Sequence, residues 1–361
     1  MLTRRSFTAL AGAAGASLMV PSLTFAQNKA VVRLGNAAGI IDPQLTFMTV
    51  GQNPKVGYYA KEGVEMDIIN MSGAGQTLQA VASGNAETSA VSPVAFLNAF
   101  AKNPRLDVTF PYCWLREPHW AVAVKPDSPV KSLSELKGKK IGIRNQGDTG
   151  YFGARAMLQE LKIDPDSDVE WVSIGEGGPA GDAIYRGRVD AMAFWDAAFA
   201  RIEVAGFPLR YLPNTEGMKK LFGNSYGVQK STLANNRDTM VRFFRAMAKS
   251  TVFAYANLEN SILLHWEIYP ESKPKGRSEQ DAMKEALFIL KARADKWMPQ
   301  PWQTDQRFGA QSLEQWQAQV AFAGLQNEVK DVSGVSTTAL LDEINAFDKA
   351  EVVAAAKALK M

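Results

Sequence analysis

From residue 31 to Tyr211 the chain alternates short runs rich in β-branched and aromatic residues with segments of helical periodicity. "VVRLGNA" reads as a strand, "NPKVGYYAKEGV" as a helix stopped near Gly63, and "EMDIINM" as a second strand. "GQTLQAVASGNAE" reads as a helix with Leu78 and Val81 on one face. "TSAVSP", "VAFLNAFAKNP" and "LDVTFPYCW" continue the order strand, helix, strand, with Pro104 ending the helix. Strands separated by helices need crossover connections, and these build mainly parallel sheets covered on both faces.

The rhythm breaks at "HWAVAVKPDSPVKSLSELKGKK", an extended run followed by two prolines and a Lys-rich turn. A second alternation runs through "KIGIRN", "TGYFGARAMLQELKI", "DVEWVSIG", "AGDAIYRGR", "VDAMAFWDA", "AFARIEVAG" and "FPLRYLP". After "NSYGVQKS" the pattern is helical almost to the end, with "YPESKPKGRSE" as an exposed loop. The expected architecture is α/β with two lobes. Residues 30–125 with 228–361 form the first lobe and 126–227 the second. Two extended hinge crossovers near 123–131 and 223–230 join them, and the late helices return to pad the first lobe.

The first residues read as an export signal rather than as fold. "TRRSF" precedes the weakly apolar "TALAGAAGASLMV" and then "PSLTFAQ", the three-part order of a bacterial signal of twin-arginine type. A basic N-terminal helix is the plainer reading. Thr24 and Ala26 fit the small positions before a cut, so cleavage is expected after Ala26 and residues 1–26 are set aside. The formal charge is +3, from 40 Lys and Arg against 37 Asp and Glu. Removing Arg4 and Arg5 leaves 3 − 2 = +1. No basic block speaks for nucleic acid, and no later run reaches the ~20 apolar residues of a spanning helix. The mature protein is expected to be soluble and periplasmic. Cys113 is the only cysteine, so no internal disulfide is possible, and it reads as a small buried apolar residue.

In open parallel sheets, ligands sit beyond the carboxyl ends of the strands. The segments there are "AAGIIDPQLTF", "SGAGQT", "VSP" with Ser92, and the edge residues Trp114, Arg116, His119 and Trp120. The second unit adds "NQGDTGYFG", "GEGGPAGD" and "FWDAAF". Glycine, hydroxyl and amide groups beside an aromatic ring suit a small polar solute. At 145–151 the glycines leave room for backbone approach, and the next helix offers its first N–H groups. Thr149 either caps that helix or binds the ligand; the plainer reading is an ordinary turn capped by Asp148 or Thr149. Trp195 and Asp196 read either as a stacking ring with an acceptor or as a buried Trp with a capping Asp. His119 reads either as a ligand contact or as a structural histidine. Trp297, Trp302 and Trp316 read as core.

Catalysis finds little support. His119 and His265 are the only histidines, and there is no H-E-x-x-H, CxxC, G-x-S-x-G or P-loop. "GEGGPAGD" lacks dinucleotide spacing because position 180 is Ala. No catalytic residue, metal or cofactor is expected.

Several segments together resemble a known family. "HWAVAVKPDSPVKSLSELKGKKIGI", "ARAMLQELKID", "AIYRGRVDAMAFWDAAFARIE", "GAGQTLQAVASGNAETSAVSP" and "WQAQVAFAGLQNEVKDVS" are similar, in order and spacing, to substrate-binding proteins of ABC importers. The group is that of nitrate, sulfonate, taurine and thiamine-pyrimidine precursors, and the likeness covers nearly all of 30–345. It implies a type II periplasmic binding protein fold and a small-molecule ligand. It also implies an inner-membrane permease with its ATPase as partner and a monomeric binding protein. The contact positions it implies are Phe47, Gln76, Thr77, Ser92, Trp114, Thr149, Gly150, Tyr151, Glu176, Trp195 and Asp196. The chain departs from the sulfonate pattern by placing Asp42, Asp148, Glu176, Asp182 and Asp196 near the cleft, with Arg116, Arg144 and Arg155 as nearby cations. An acid-leaning, aromatic cleft would disfavour a small inorganic anion such as nitrate. It would favour a neutral or amino-bearing ring, with sulfonates still open. An enzyme related to thiamine-pyrimidine synthases is the alternative, although that branch depends on a cysteine-rich segment.

Overall fold

The computed structural model describes residues 29–361, so the expected export signal lies outside it. Among the described residues ten strands form two five-stranded sheets. The first takes β1 (Ala30–Asn36), β2 (Val64–Asn70), β3 (Thr88–Val91) and β4 (Thr109–Cys113). The second takes β5 (Trp120–Val124), β6 (Lys140–Ile143), β7 (Glu170–Ser173), β8 (Ala191–Trp195) and β9 (Arg210–Tyr211). The chain then returns to the first sheet as β10 (Ser225–Val228).

The orders are β2-β1-β3-β10-β4 and β7-β6-β8-β5-β9, which is one plan used twice. In each sheet four strands run the same way, and the strand arriving from the other sheet inserts antiparallel between the third and the fourth. The sheets are therefore mainly parallel, as expected, and mixed by one reversed strand each. A strand that enters from the far lobe comes in against the direction of the βαβ units. β5 and β10 also pair on the opposite side of the expected boundaries at 125 and 228. The crossovers lie at 114–119 and 212–224. They hold each other: Leu115 N–H donates to the Asn224 carbonyl (3.2 Å) and Gly223 N–H to the Leu115 carbonyl (2.9 Å). A Cβ on Gly223 would stand 2.6 Å from the Glu117 carbonyl oxygen, so this approach requires glycine.

The helix expected over "NPKVGYYAKEGV" shrinks to Tyr58–Lys61. Gly57 is left-handed (φ 64) and Pro54 precedes it, so the segment cannot run as one helix. Helical turns fall earlier instead, over 43–52.

The late helices do more than pad the first lobe. Arg237–Ala256 and Leu258–Ile268 pack there, with Phe243, Phe244, Met247 and Leu264 in its core. The Glu279–Ala294 helix instead touches both cores: Ala282, Ala286 and Leu290 join the first, Ile289 the second. Cys113 is buried, and burial pushes its thiol up to about 12.

His265 lies fully buried with Nδ1 2.7 Å from Thr49 Oγ1, and its Nε2 has no partner. Burial pushes its pKa down to about 3. The unfolded chain takes that proton near pH 6.5 and the folded protein resists it. The resulting stability is whole above pH ~6.5 and is lost as pH falls toward 3. At about 1.4 kcal/mol per pH unit, the protein is expected to be about 2 kcal/mol less stable at pH 5 than at pH 7 from this group. Urea unfolding at the two pH values checks this, and His265→Gln should remove that share of the slope.

Candidate functional site

A narrow cavity of about 50 Å³ lies where the two sheets face each other. Its walls come from both sheets, the crossovers and one late helix. β1 and the turn after it supply Asn36, Gln44 and Phe47; β6 and the following turn supply Arg144, Asp148 and Thr149. The crossovers supply Trp114, His119 and Asn224, and the Glu279–Ala294 helix supplies Arg293.

Local chemistry explains each position. Asp42 caps the turn at Pro43–Leu45 by accepting from Gln44 N–H (3.1 Å), which sets the Gln44 side chain at the end of β1. Asp148 caps the Thr149–Glu160 helix by accepting from Gly150 N–H (2.9 Å). The cap is therefore Asp148, and Thr149 stands free to line the cavity.

Of the expected contact residues, the cavity collects Phe47, Trp114, Thr149 and Trp195. Gln76 is exposed and accepts from Ser72 N–H. Thr77 is buried and donates to the Ala74 carbonyl. Ser92 is buried just before the Pro93–Lys102 helix, with Oγ unpartnered. Gly150 serves packing: a Cβ there would meet the Ala193 carbonyl oxygen at 2.5 Å, so the helix can lie on β8 only without one. Tyr151 packs on Trp171 and accepts from Arg155. Glu176 and Asp196 stand behind the wall as partners of arginines.

The acid-leaning cleft is corrected. Asp42 pairs with Arg201 (2.6 Å), Glu176 also with Arg201 (3.1 Å), and Asp148 with Arg144 (2.6 Å). Asp196 pairs with Arg293 and with Lys296 (3.0 Å), while Asp182 pairs with Arg186 on the exposed surface. Burial pushes the Asp196 carboxyl up, but Arg293 and Lys296 outweigh it and hold the pKa down at about 2. Burial raises Asp148 despite Arg144. Burial, and then the charge of Arg293, push the His119 imidazole well below its usual range, so it is neutral. The acids are thus spent on the protein's own cations.

Of the three expected cations only Arg144 lines the cavity. Arg116 donates to the Arg307 and Asp305 carbonyls, and Arg155 pairs outward with Asp166. Trp195 lies under two guanidinium groups, those of Arg144 (4.8 Å) and Arg201 (5.5 Å). Trp114 stacks on Phe47 at 4.4 Å. Protein groups therefore already take up much of the expected stacking surface.

Sequence reasoning missed Arg293, Tyr226 and Asn224 as lining residues. Gln44 fell inside a loop already marked, and Asn224 and Tyr226 inside the crossover marked near 223–230. Arg293 carried no signal, because its helix read as padding. Several lining residues carry polar atoms buried without partners: both amide atoms of Gln44, Trp114 Nε1, His119 Nδ1, Arg144 Nε and Asn224 Oδ1. Buried polar groups are normally satisfied, so such a cluster in one cavity marks a place for a guest. Among the described residues no His, Cys, Asp and Glu cluster could hold a metal ion.

Two sheets of one plan, two paired crossovers and a polar cavity between them define the fold of the periplasmic binding proteins. The alkanesulfonate-binding protein SsuA of Xanthomonas axonopodis pv. citri, solved bound to MOPS, is similar at 17% identity. That match covers 87% of this chain and 97% of that one, with a TM-score of 0.60. The periplasmic aliphatic sulphonate binding protein SsuA of Escherichia coli is similar at 16%, over 86% and 97% (TM-score 0.60). The desulfurization enzyme DSZB shares the fold at 16%, over 90% and 99% (TM-score 0.52). No curated relative matches the chain. The chain belongs to the NMT1/THI5-like family, whose match spans residues 42–261.

Proposed function

We propose that this protein is the periplasmic solute-binding component of an ABC import system. It is exported, cut after Ala26 and works as a monomer. It captures a small organic solute, either an aromatic or heterocyclic compound or a sulfonate, and passes it unchanged to an inner-membrane permease. The lobes of this reading are 30–119 with 225–361, and 120–224. The ligand contacts are the cavity-lining Phe47, Trp114, Thr149 and Trp195, joined by Gln44, His119, Arg144, Asn224 and Arg293.

One observation carries the reading: residues from both lobes and both crossovers, each with a buried polar atom that lacks a partner, line a single cavity. A solute touching both halves stabilises the closed arrangement by its differential affinity. An apolar cavity of about 150 Å³ takes benzene, so a cavity of about 50 Å³ admits a ring only when the lobes part.

The test is mass spectrometry of what denaturation releases from the purified protein, with small-angle scattering before and after that compound is added back. A small organic compound and a smaller radius on rebinding are expected. No bound compound, together with no compaction on any solute of a panel, counts against the reading. Because DSZB shows that this fold also serves an enzyme, the compound is followed over time; its conversion would move the protein to the enzyme branch.

A further inference from the structure

Gln44, His119 and Asn224 are 0%, 5% and 6% exposed and line the same cavity. Both ends of the Gln44 amide lack partners, so it presents one donor and one acceptor whichever way it is turned. Asn224 leaves Oδ1 unpartnered. The neutral His119 ring has one donating and one accepting nitrogen, with Nδ1 unpartnered. Both lining guanidinium groups are already paired: Arg144 with Asp148, and Arg293 with Asp196, which it shares with Lys296.

We propose that Gln44, His119 and Asn224 are the specificity-determining contacts, and that they select a neutral solute whose polar edge carries N–H or O–H donors beside acceptors. This rests on the solute-binding reading above. A carboxylate or sulfonate only accepts. It would satisfy Gln44 Nε2 and Trp114 Nε1 but leave the Gln44 and Asn224 carbonyl oxygens buried without partners, which is costly. An amide-like edge satisfies both kinds of group. His119 and Asn224 sit on the two crossovers, immediately before β5 and β10. Contacts to them bring the solute to the segments that turn when the lobes close.

The experiment titrates the purified, exhaustively dialysed protein with benzamide, benzoate and benzenesulfonate. These probes share a ring and differ in the head group. Acetamide, acetate and methanesulfonate repeat the series so that ring size does not decide the outcome. Binding is read by calorimetry or saturation-transfer NMR. Each amide is expected to bind at least tenfold tighter than the two anions of its series. Gln44→Leu should weaken the amide at least tenfold and the anions less. An anion binding as tightly as its amide overturns the proposal, and so does binding of none of the six. The wild-type ranking needs no variant to fold. An anion ranked first sinks this inference but leaves solute capture standing, which the released-compound measurement judges separately.

Discussion

Asp196→Ala is expected to lower the unfolding free energy by about 3–5 kcal/mol, the usual cost of breaking a buried ion pair from one side. The Asp196 side chain is 12% exposed and that of Arg293 5%. Arg293 Nε donates to Asp196 Oδ1 at 2.9 Å, and Lys296 Nζ lies 3.0 Å from Oδ2. Removing the carboxylate leaves two cations facing each other in a poorly hydrated place beside neutral His119. It also unties the Glu279–Ala294 helix from the second lobe, because Asp196 begins the Asp196–Val204 helix there. Urea unfolding at pH 7 measures the loss. The double variant Asp196→Ala with Arg293→Met should recover much of it, since an apolar pair replaces a lone charge. A single-variant cost under about 1 kcal/mol would mean that solvent already screens the pair.

Arg144→Ala is expected to weaken solute binding at least a hundredfold and to expand the molecule in solution. Arg144 follows β6 in the second sheet, yet donates Nη1 to the Ala38 carbonyl and Nη2 to the Ala37 carbonyl, each at 3.0 Å. Both acceptors follow β1 of the first sheet. Charge-assisted hydrogen bonds contribute about 1.5–3 kcal/mol each, so losing two across the cleft frees the lobes and costs the closed state its geometry. The variant also leaves Asp148 buried with only the Gly150 N–H for company. Arg144→Lys should fall between, because an ammonium lacks the fork that spans two carbonyls and a carboxylate together. Scattering radius and calorimetric affinity check both variants. An unchanged radius with unchanged affinity would show that other contacts keep the cleft shut.

Much of the fold was legible. Each β-rich run between helical segments became a strand, because alternation and β-branching are local properties that survive any packing. That Phe47, Trp114, Thr149 and Trp195 would line a cleft was legible because they lie at or beyond strand ends, and the ends of strands face the cleft. Other features depended on chain direction and distance. β5 and β10 pair antiparallel because each arrives from the other sheet, and no local pattern records that. Ion pairing was equally hidden. Asp42 and Arg201 are 159 positions apart, and Asp196 and Arg293 97 apart, so an acid count near the cleft gave the wrong electrostatics.

The sequence by itself determined the order of elements, the doubled α/β plan and the loops that hold polar groups near the cleft. Periodicity and turn chemistry act over a few residues, so they can be read without the partner. Tertiary structure alone decided which charges cancel and which amides are left without partners. It also decided that a helix near the end of the chain would close one wall of the cavity. Those outcomes depend on what stands opposite a side chain after folding, and a helical stripe records that it is covered without recording by what.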